Sequence, residues 1–171
     1  MTVSDPESTH RWRRAALLCG GILGLVGFDR WLKLVSIEHL LGREPIDLIW
    51  GAVRLVYQEN QGGMLSLGAG LPESIRFLFF TVLVALLLAV LLAVVLLKRS
   101  VRRSDAIAAA CVIGGGAGNV IDRLIYNGVV IDYITVGAGS LRTGVFNLAD
   151  FAILAGAAVY IFGRRRVASV G

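Results

Sequence analysis

The sequence predicts an all-α membrane protein of four transmembrane helices, with a small β element on its outer surface. Three observations predict this class. Hydrophobic residues make up 56% of the 171 positions and charged residues only 17%, with a mean hydropathy of +0.75, whereas soluble domains are roughly 45–50% apolar. Four apolar runs approach the roughly 20 residues that a bilayer core of about 30 Å demands. The basic residues stand beside those runs rather than along a soluble face, so the net charge of +5 does not indicate a nucleic-acid partner. One integral membrane domain, 1–171, accommodates the whole chain.

The first span covers about 15–36. It is uncharged as far as Phe28 and then continues amphipathically through Asp29, Trp31 and Lys33. Arg11, Arg13 and Arg14 before it could belong to a signal peptide, but no A-x-A cleavage pattern follows, so a retained helix is expected. The outer segment 38–74 contains IDLIWGAVRLVYQENQGG, where Leu55, Tyr57 and Glu59 alternate with Arg54, Val56 and Gln58. That period reads as strand, and Asn60-Gln61-Gly62-Gly63 supplies turn residues, so a short surface sheet is expected. The second span, 77–97, has 21 residues and no charge. The third, about 105–121, holds Gly114, Gly115, Gly116 and Gly118, a pattern suited to close helix packing. The outer segment 122–145 has turn signals at Asn127-Gly128 and 137–140 and is expected to form a loop or helix. The fourth span is about 146–163. Cys19 and Cys111 lie inside apolar runs with no metal-ligand spacing and read as small core hydrophobes.

Orientation follows from Lys and Arg. Arg11, Arg13 and Arg14, then Lys98, Arg99, Arg102 and Arg103, then Arg164, Arg165 and Arg166 are ten of the 17 basic residues, and an even number of spans puts all ten on one side. Both termini are therefore expected in the cytoplasm.

The polar residues of the spans gather at the opposite end. They are Asp29 and Lys33, then Asn119, Asp122 and Arg123 in GNVIDR, and Asn147 and Asp150 in FNLAD, with Asn60 and Asp132 in the outer segments. An Asp in the middle of a span costs roughly 2.5–3.5 kcal/mol, so such a gathering points to one site near the outer interface. The only histidines, His10 and His39, lie outside it, and HExxH is absent, which argues against a zinc protease. Ser66 and Ser140 have no candidate base in a span. Carboxylates and amides remain. Two carboxylates held close cannot both ionise easily, and the pair can activate water and protonate a leaving amine. Asp122, Asp132 and Asp150 are the candidates, without a metal or cofactor. Each also has a structural reading. Asp29 and Lys33 could be an i,i+4 ion pair, Asp122 could pair with Arg123, Arg123 could anchor a headgroup, Asn60 could begin a turn, and Asp150 could cap the fourth helix. Asp132, between Ile131 and Tyr133, has no such explanation.

These residues resemble the lipoprotein signal peptidase (type II signal peptidase) family. DRWLK matches its Asp-x-x-x-Lys, NQGGMLS its Asn-x-Gly stretch, GNVIDR its Gly-Asn-x-x-Asp-Arg, VIDYI its Asp before an aromatic, and FNLAD its Phe-Asn-x-Ala-Asp. The match runs in order over roughly 15–163. The resemblance implies an intramembrane aspartic endopeptidase of the bacterial inner membrane. It would remove signal peptides from diacylglyceryl-modified prolipoproteins, cutting before the lipidated Cys. Asp132 and Asp150 would be catalytic, with Asn60, Gly62, Gly118, Asn119, Asp122, Arg123 and Asn147 binding substrate or supporting the pair. Lipidated prolipoproteins and membrane lipids would be the partners of a monomer, and the site would face outward. The sequence departs from the family at Gly63, Met64 and Leu65, at Gly116 and at Leu32, which leaves room for altered substrates. Two other readings stay open: a divergent paralogue with a non-catalytic binding role, and a four-span subunit of a proton- or cation-coupled transporter. A transporter would want polar groups at the midplane or internal repeats, and neither is visible.

Overall fold

A run such as Val84–Leu97, all leucine, valine and alanine, has no side chain with which to satisfy its backbone. In lipid it must bond within itself, and so it is helical. The computed structural model describes residues 6–63 and 67–168. In chain order the elements are helix α1 (Pro6–Leu40), strands β1 (Ile46–Leu48) and β2 (Val53–Asn60), helices α2 (Glu73–Phe77), α3 (Val84–Leu97) and α4 (Arg103–Ile125), strands β3 (Val130–Ala138) and β4 (Leu141–Arg142), and helix α5 (Leu148–Ala168). A π-helical turn, Leu78–Leu83, joins α2 to α3 in one rod. Among the described residues three helices are long and apolar enough to cross a membrane, Trp12–Leu40, Glu73–Leu97 and Arg103–Ile125, and Leu148–Gly163 is a shorter apolar helix.

α4 is the central helix, and its glycines explain how. A Cβ on Gly114 would stand 2.8 Å from Leu25 of α1, one on Gly115 would run into the Ala149 carbonyl of α5, and one on Gly116 would stand 2.8 Å from Leu88 of α3. Three consecutive residues, about 100° apart around the axis, thus admit three different helices at close range. Gly156 of α5 returns the approach, since a Cβ there would lie 2.8 Å from the Ala108 carbonyl.

Burial is inverted relative to a soluble protein. Leu17, Leu23, Leu87, Val90, Leu97 and Phe162 are exposed, whereas Asp29, Lys33, Asp122, Asp132 and Asn147 are all 0% exposed. An apolar exterior around a polar centre is what lipid as solvent selects.

The four strands form one antiparallel sheet in the order β1-β2-β3-β4. The segment 122–145, expected as loop or helix, therefore contributes two strands to the same sheet as 38–74. The alternation along VVIDYITV pairs with β2, and the Asn127-Gly128 turn, with both residues at positive φ, redirects the chain out of α4. The helices also run past the expected span limits at both ends of α1 and α4, at the start of the second span and at the end of α5. Cys19 and Cys111 are only half-buried, and Cys111 lies against Gly156 of α5. Met64, Leu65 and Ser66 lie outside the described residues, as do the side chains of His10, Arg11, Arg164, Arg165 and Arg166.

β2 carries the one irregularity that matters for the site. Leu55 pairs with Ile134 but Gln58 pairs with Asp132, so β2 holds one extra residue. A one-residue slip exchanges the two faces of a strand. Without the bulge Glu59 would stand opposite Val130; with it Asn60 does, on the face that carries Asp132.

Candidate active site

The site is built where the sheet meets the ends of α1, α4 and α5. Asp132 on β3 accepts a hydrogen bond from Asn147 Nδ2 at 2.7 Å on one oxygen and from Asn60 Nδ2 at 3.0 Å on the other. Asn60 is held in turn, its Oδ1 accepting from the Gly62 amide at 2.9 Å and its Nδ2 donating to the Gly63 carbonyl at 3.1 Å. The structural reading of Asn60 as the start of a turn is thus realised together with its contact to Asp132. Asp150 on α5 accepts from Asn119 Nδ2 at 2.8 Å and from the Asn147 backbone amide at 3.3 Å, while its own amide donates to Asn147 Oδ1 at 2.9 Å. Asn147 and Asp150 are therefore the N-cap and third residue of a reciprocal capping box. The N-cap expected at Asp150 is Asn147 instead; Asp150 returns the bond from the third position, and its other oxygen is turned to the Asn119 amide.

Asn147 touches both acids. Burial pushes the Asp132 carboxyl up to about 7, the Asp150 charge adds to the rise, and the Asn60 and Asn147 donors and Lys33 oppose it. Asp132 is fully buried, whereas Asp150 is half-exposed.

Beneath this pair lies a charge network. Lys33 Nζ stands 2.8 Å from Asp29 Oδ2 and 2.8 Å from Asp122 Oδ2, and it donates to Asn119 Oδ1 at 3.0 Å. The Asp29 contact is an ion pair rather than a well-directed hydrogen bond. Arg30 Nη1 reaches Asp122 Oδ1 at 2.5 Å, and the Ile131 amide donates to Asp122 Oδ2 at 3.2 Å. Asp29 Oδ1 accepts from the Ala149 amide of α5 at 3.0 Å. The Tyr133 hydroxyl accepts from the Leu148 amide at 3.2 Å. With Asn147 serving Asp150, each of the first three amides of α5, which a helix start leaves without intrahelical partners, has a side-chain acceptor. Gly118 makes room for this, since a Cβ there would lie 2.7 Å from Asp29 Oδ2.

The cluster expected from sequence is brought together in full. Asp122, however, pairs with Arg30 and Lys33 and not with Arg123. Arg123 donates instead to the Gly62 carbonyl at 2.7 Å and lies over the Phe80 ring at 5.7 Å. Sequence reasoning missed Arg30, Tyr126, which binds Arg30 at 3.2 Å, and Tyr133. Arg30, beside Asp29 at the charged end of a span, was the readable signal. A cavity of about 640 Å³ opens beside Arg123, lined also by Arg76, Phe77 and Thr81. Thr81 Oγ1 and Arg123 Nε are buried without a hydrogen-bond partner among the described residues.

Comparison with known proteins places the chain in a family. Residues 21–164 match the family described as signal peptidase (SPase) II. A lipoprotein signal peptidase of Syntrophus aciditrophicus (strain SB) is 35% identical over 140 residues, covering 82% of this chain and 85% of its own. One from Borrelia duttonii (strain Ly) is 30% identical over 142 residues, covering 80% and 82%. One from Beijerinckia indica is 39% identical over 131 residues, covering 76% and 75%. A bacterial membrane enzyme structure obtained by the in meso method at 2.3 Å resolution shares the fold, with a TM-score of 0.76 at 20% identity over 90% of each chain.

Proposed function

This chain belongs to the signal peptidase II family, and from that premise we propose that Asp132 and Asp150 are the two acids of its proteolytic centre. Membership makes it a multi-pass bacterial membrane protease that removes signal peptides from prolipoproteins. The observation that carries the assignment is the double grip of Asn147 on Asp132 and Asp150, two carboxyl groups left without an ion-pair partner among the described residues.

With burial pushing the Asp132 carboxyl up to about 7, Asp132 is the acid that carries the proton in this reading. The ionised acid takes a proton from water as its oxygen attacks the scissile carbonyl, and the protonated acid gives its proton to the carbonyl oxygen. Return of a proton to the amide nitrogen then lets the C–N bond break, giving a carboxylic acid and an amine. Half-exposed Asp150 is the acid nearer to water and substrate. The amides of Asn60, Asn119 and Asn147 fix both groups, while Lys33 holds Asn119, Asp29 holds the start of α5, and Asp122 holds Lys33 and the Ile131 amide. In the cavity beside Arg123, Thr81 Oγ1 and Arg123 Nε would serve the carbonyls of a peptide entering from the membrane.

The same reading makes Leu148–Gly163 a fourth span, about 24 Å long at 1.5 Å per residue. Its shortness is met by the polar cluster at its start, which lets water reach below the outer interface. Both termini then lie in the cytoplasm, and the single domain works as a monomer with its site facing outward. The lipid of the prolipoprotein stays in the bilayer while the bond before the modified Cys is cut.

The test is a gel-shift assay on the purified protein in detergent with a prolipoprotein substrate, with and without its diacylglyceryl group. Lipid-dependent cleavage by the wild type and none by folded Asp150→Asn is expected. Ready cleavage by Asp132→Asn or Asp150→Asn would sink the assignment.

A further inference from the structure

We propose that the chain carries a second ligand site, for the headgroup and an acyl chain of an anionic phospholipid, at the end of the helices remote from the carboxylates. A groove of about 830 Å³ runs between α1 and α4. Arg13 and Arg14 from α1 and Arg103 from α4, ninety residues away in sequence, meet at its mouth. Among the described residues none of the three has an acid within ion-pair distance, and the neighbouring Asp105 is engaged by Arg102 at 2.8 Å. Arg14 is held in position, its guanidinium donating to the Lys98 carbonyl at 2.6 Å and the Arg99 carbonyl at 3.2 Å. Three arginines that line one groove with no acid in ion-pair distance among the described residues leave an anion as the fitting partner. Phosphate suits the guanidinium fork, whereas the ammonium of a zwitterionic headgroup adds repulsion.

Below the arginines the lining is apolar. Leu17, Leu25 and Ile107 form the walls, with Ala106 and Ala110 on the facing helix. The groove is open at Gly21, where a Cβ added to the backbone meets nothing within 4 Å. From Arg14 to Leu25 the groove descends roughly 16 Å along α1, about half of the roughly 30 Å hydrocarbon core. That is the depth of one leaflet, with the charges at headgroup level. Basic pockets between helices on the cytoplasmic side are the form that sites for anionic lipid take. Orientation alone does not account for the convergence, since Lys98, Arg99 and Arg102 serve orientation without lining the groove.

The experiment measures Tm of the full chain in a non-ionic detergent with added phosphatidylglycerol, phosphatidylcholine or inorganic phosphate. Phosphatidylglycerol is expected to raise Tm more than phosphatidylcholine, and phosphate alone is expected to reproduce little of the rise. In Arg13→Gln/Arg103→Gln the preference should vanish. Gly21→Leu, which fills the groove, should abolish the response to either lipid, and both variants should still cleave prolipoprotein. Equal shifts from the two lipids, a preference that survives either variant, or a full response to phosphate alone would overturn the proposal. A further arm uses only the wild type: at about 1 M salt the Debye length is about 3 Å and the preference should collapse, and its persistence would also overturn the proposal.

Discussion

Two pairs of aspartates share one polar cluster and are treated in opposite ways. Asp29 and Asp122 flank Lys33 at 2.8 Å each, and Asp122 also holds Arg30, so their charge is neutralised at close range. Asp132 and Asp150 receive only amide donors, from Asn60, Asn119, Asn147 and the chain itself. Burial is the same for Asp29, Asp122 and Asp132, each 0% exposed. What separates the two pairs is the company of each carboxylate, cations on one side and amides on the other. Amide donors fix Asp132 in space without an ion-pair partner, and burial raises its proton affinity into the neutral range.

The comparison is broken most directly by neutralising each side. Asp132→Asn and Asp150→Asn should each lower the cleavage rate by about 10²–10⁴, the usual worth of positioned acid–base groups, without a fall in Tm near neutral pH. Lys33→Met should do the opposite. It strands Asp29 and leaves Asp122 to Arg30 alone, and breaking a buried pair costs about 3–5 kcal/mol, so Tm should fall while the rate per folded molecule changes far less. A larger loss of rate than of Tm would move Lys33 into the chemistry. Asn60→Ala removes one hydrogen bond to a carboxylate, worth about 1.5–3 kcal/mol, and should lower kcat/KM about tenfold or more without unfolding the sheet.

The pH dependence sharpens the contrast further. Asp132 binds its proton more tightly in the folded chain than in the unfolded one, where its pKa is near 3.8. Between those values the native state holds more protons, so this contribution to stability is complete below about 3.8 and is lost as pH rises through about 7. The Tm of wild type relative to Asp132→Asn should therefore decline over that interval, and activity should fall on its alkaline side. The smallest effect is expected at the Asp47–Arg54 pair on the outer strands, 2.6 Å apart but solvent-exposed. Arg54→Gln should leave Tm and cleavage unchanged.

Much of this was legible in the sequence. The apolar runs announce the helices, because lipid leaves the backbone no alternative. The expensive polar residues announce the site, because nothing else offsets their cost. The motif DRWLK announced an ion pair, yet not that Asp29 also takes the Ala149 amide from the far end of the chain, since a cap supplied by another helix leaves no local pattern. The partner of Asp122 was misjudged for a related reason: Arg123 is its neighbour in sequence but points elsewhere on the helix, toward Gly62. The bulge in β2 was illegible, because one extra residue looks like an ordinary strand until its partner is known. It is nevertheless what brings Asn60 and not Glu59 to Asp132.

The Asp29 to Ala149 bond spans 120 residues, joining the first helix to the last. During synthesis α1 enters the bilayer long before α5 exists, and its carboxylate and lysine must wait for the backbone ends they will complete. Asn147 and Asp150 arrive only with that final helix. Until α5 is in place neither the Asp29 to Ala149 bond nor the Asn147 grip on Asp132 can form, so the polar cluster is completed by insertion of that helix and not by the folding of the sheet alone.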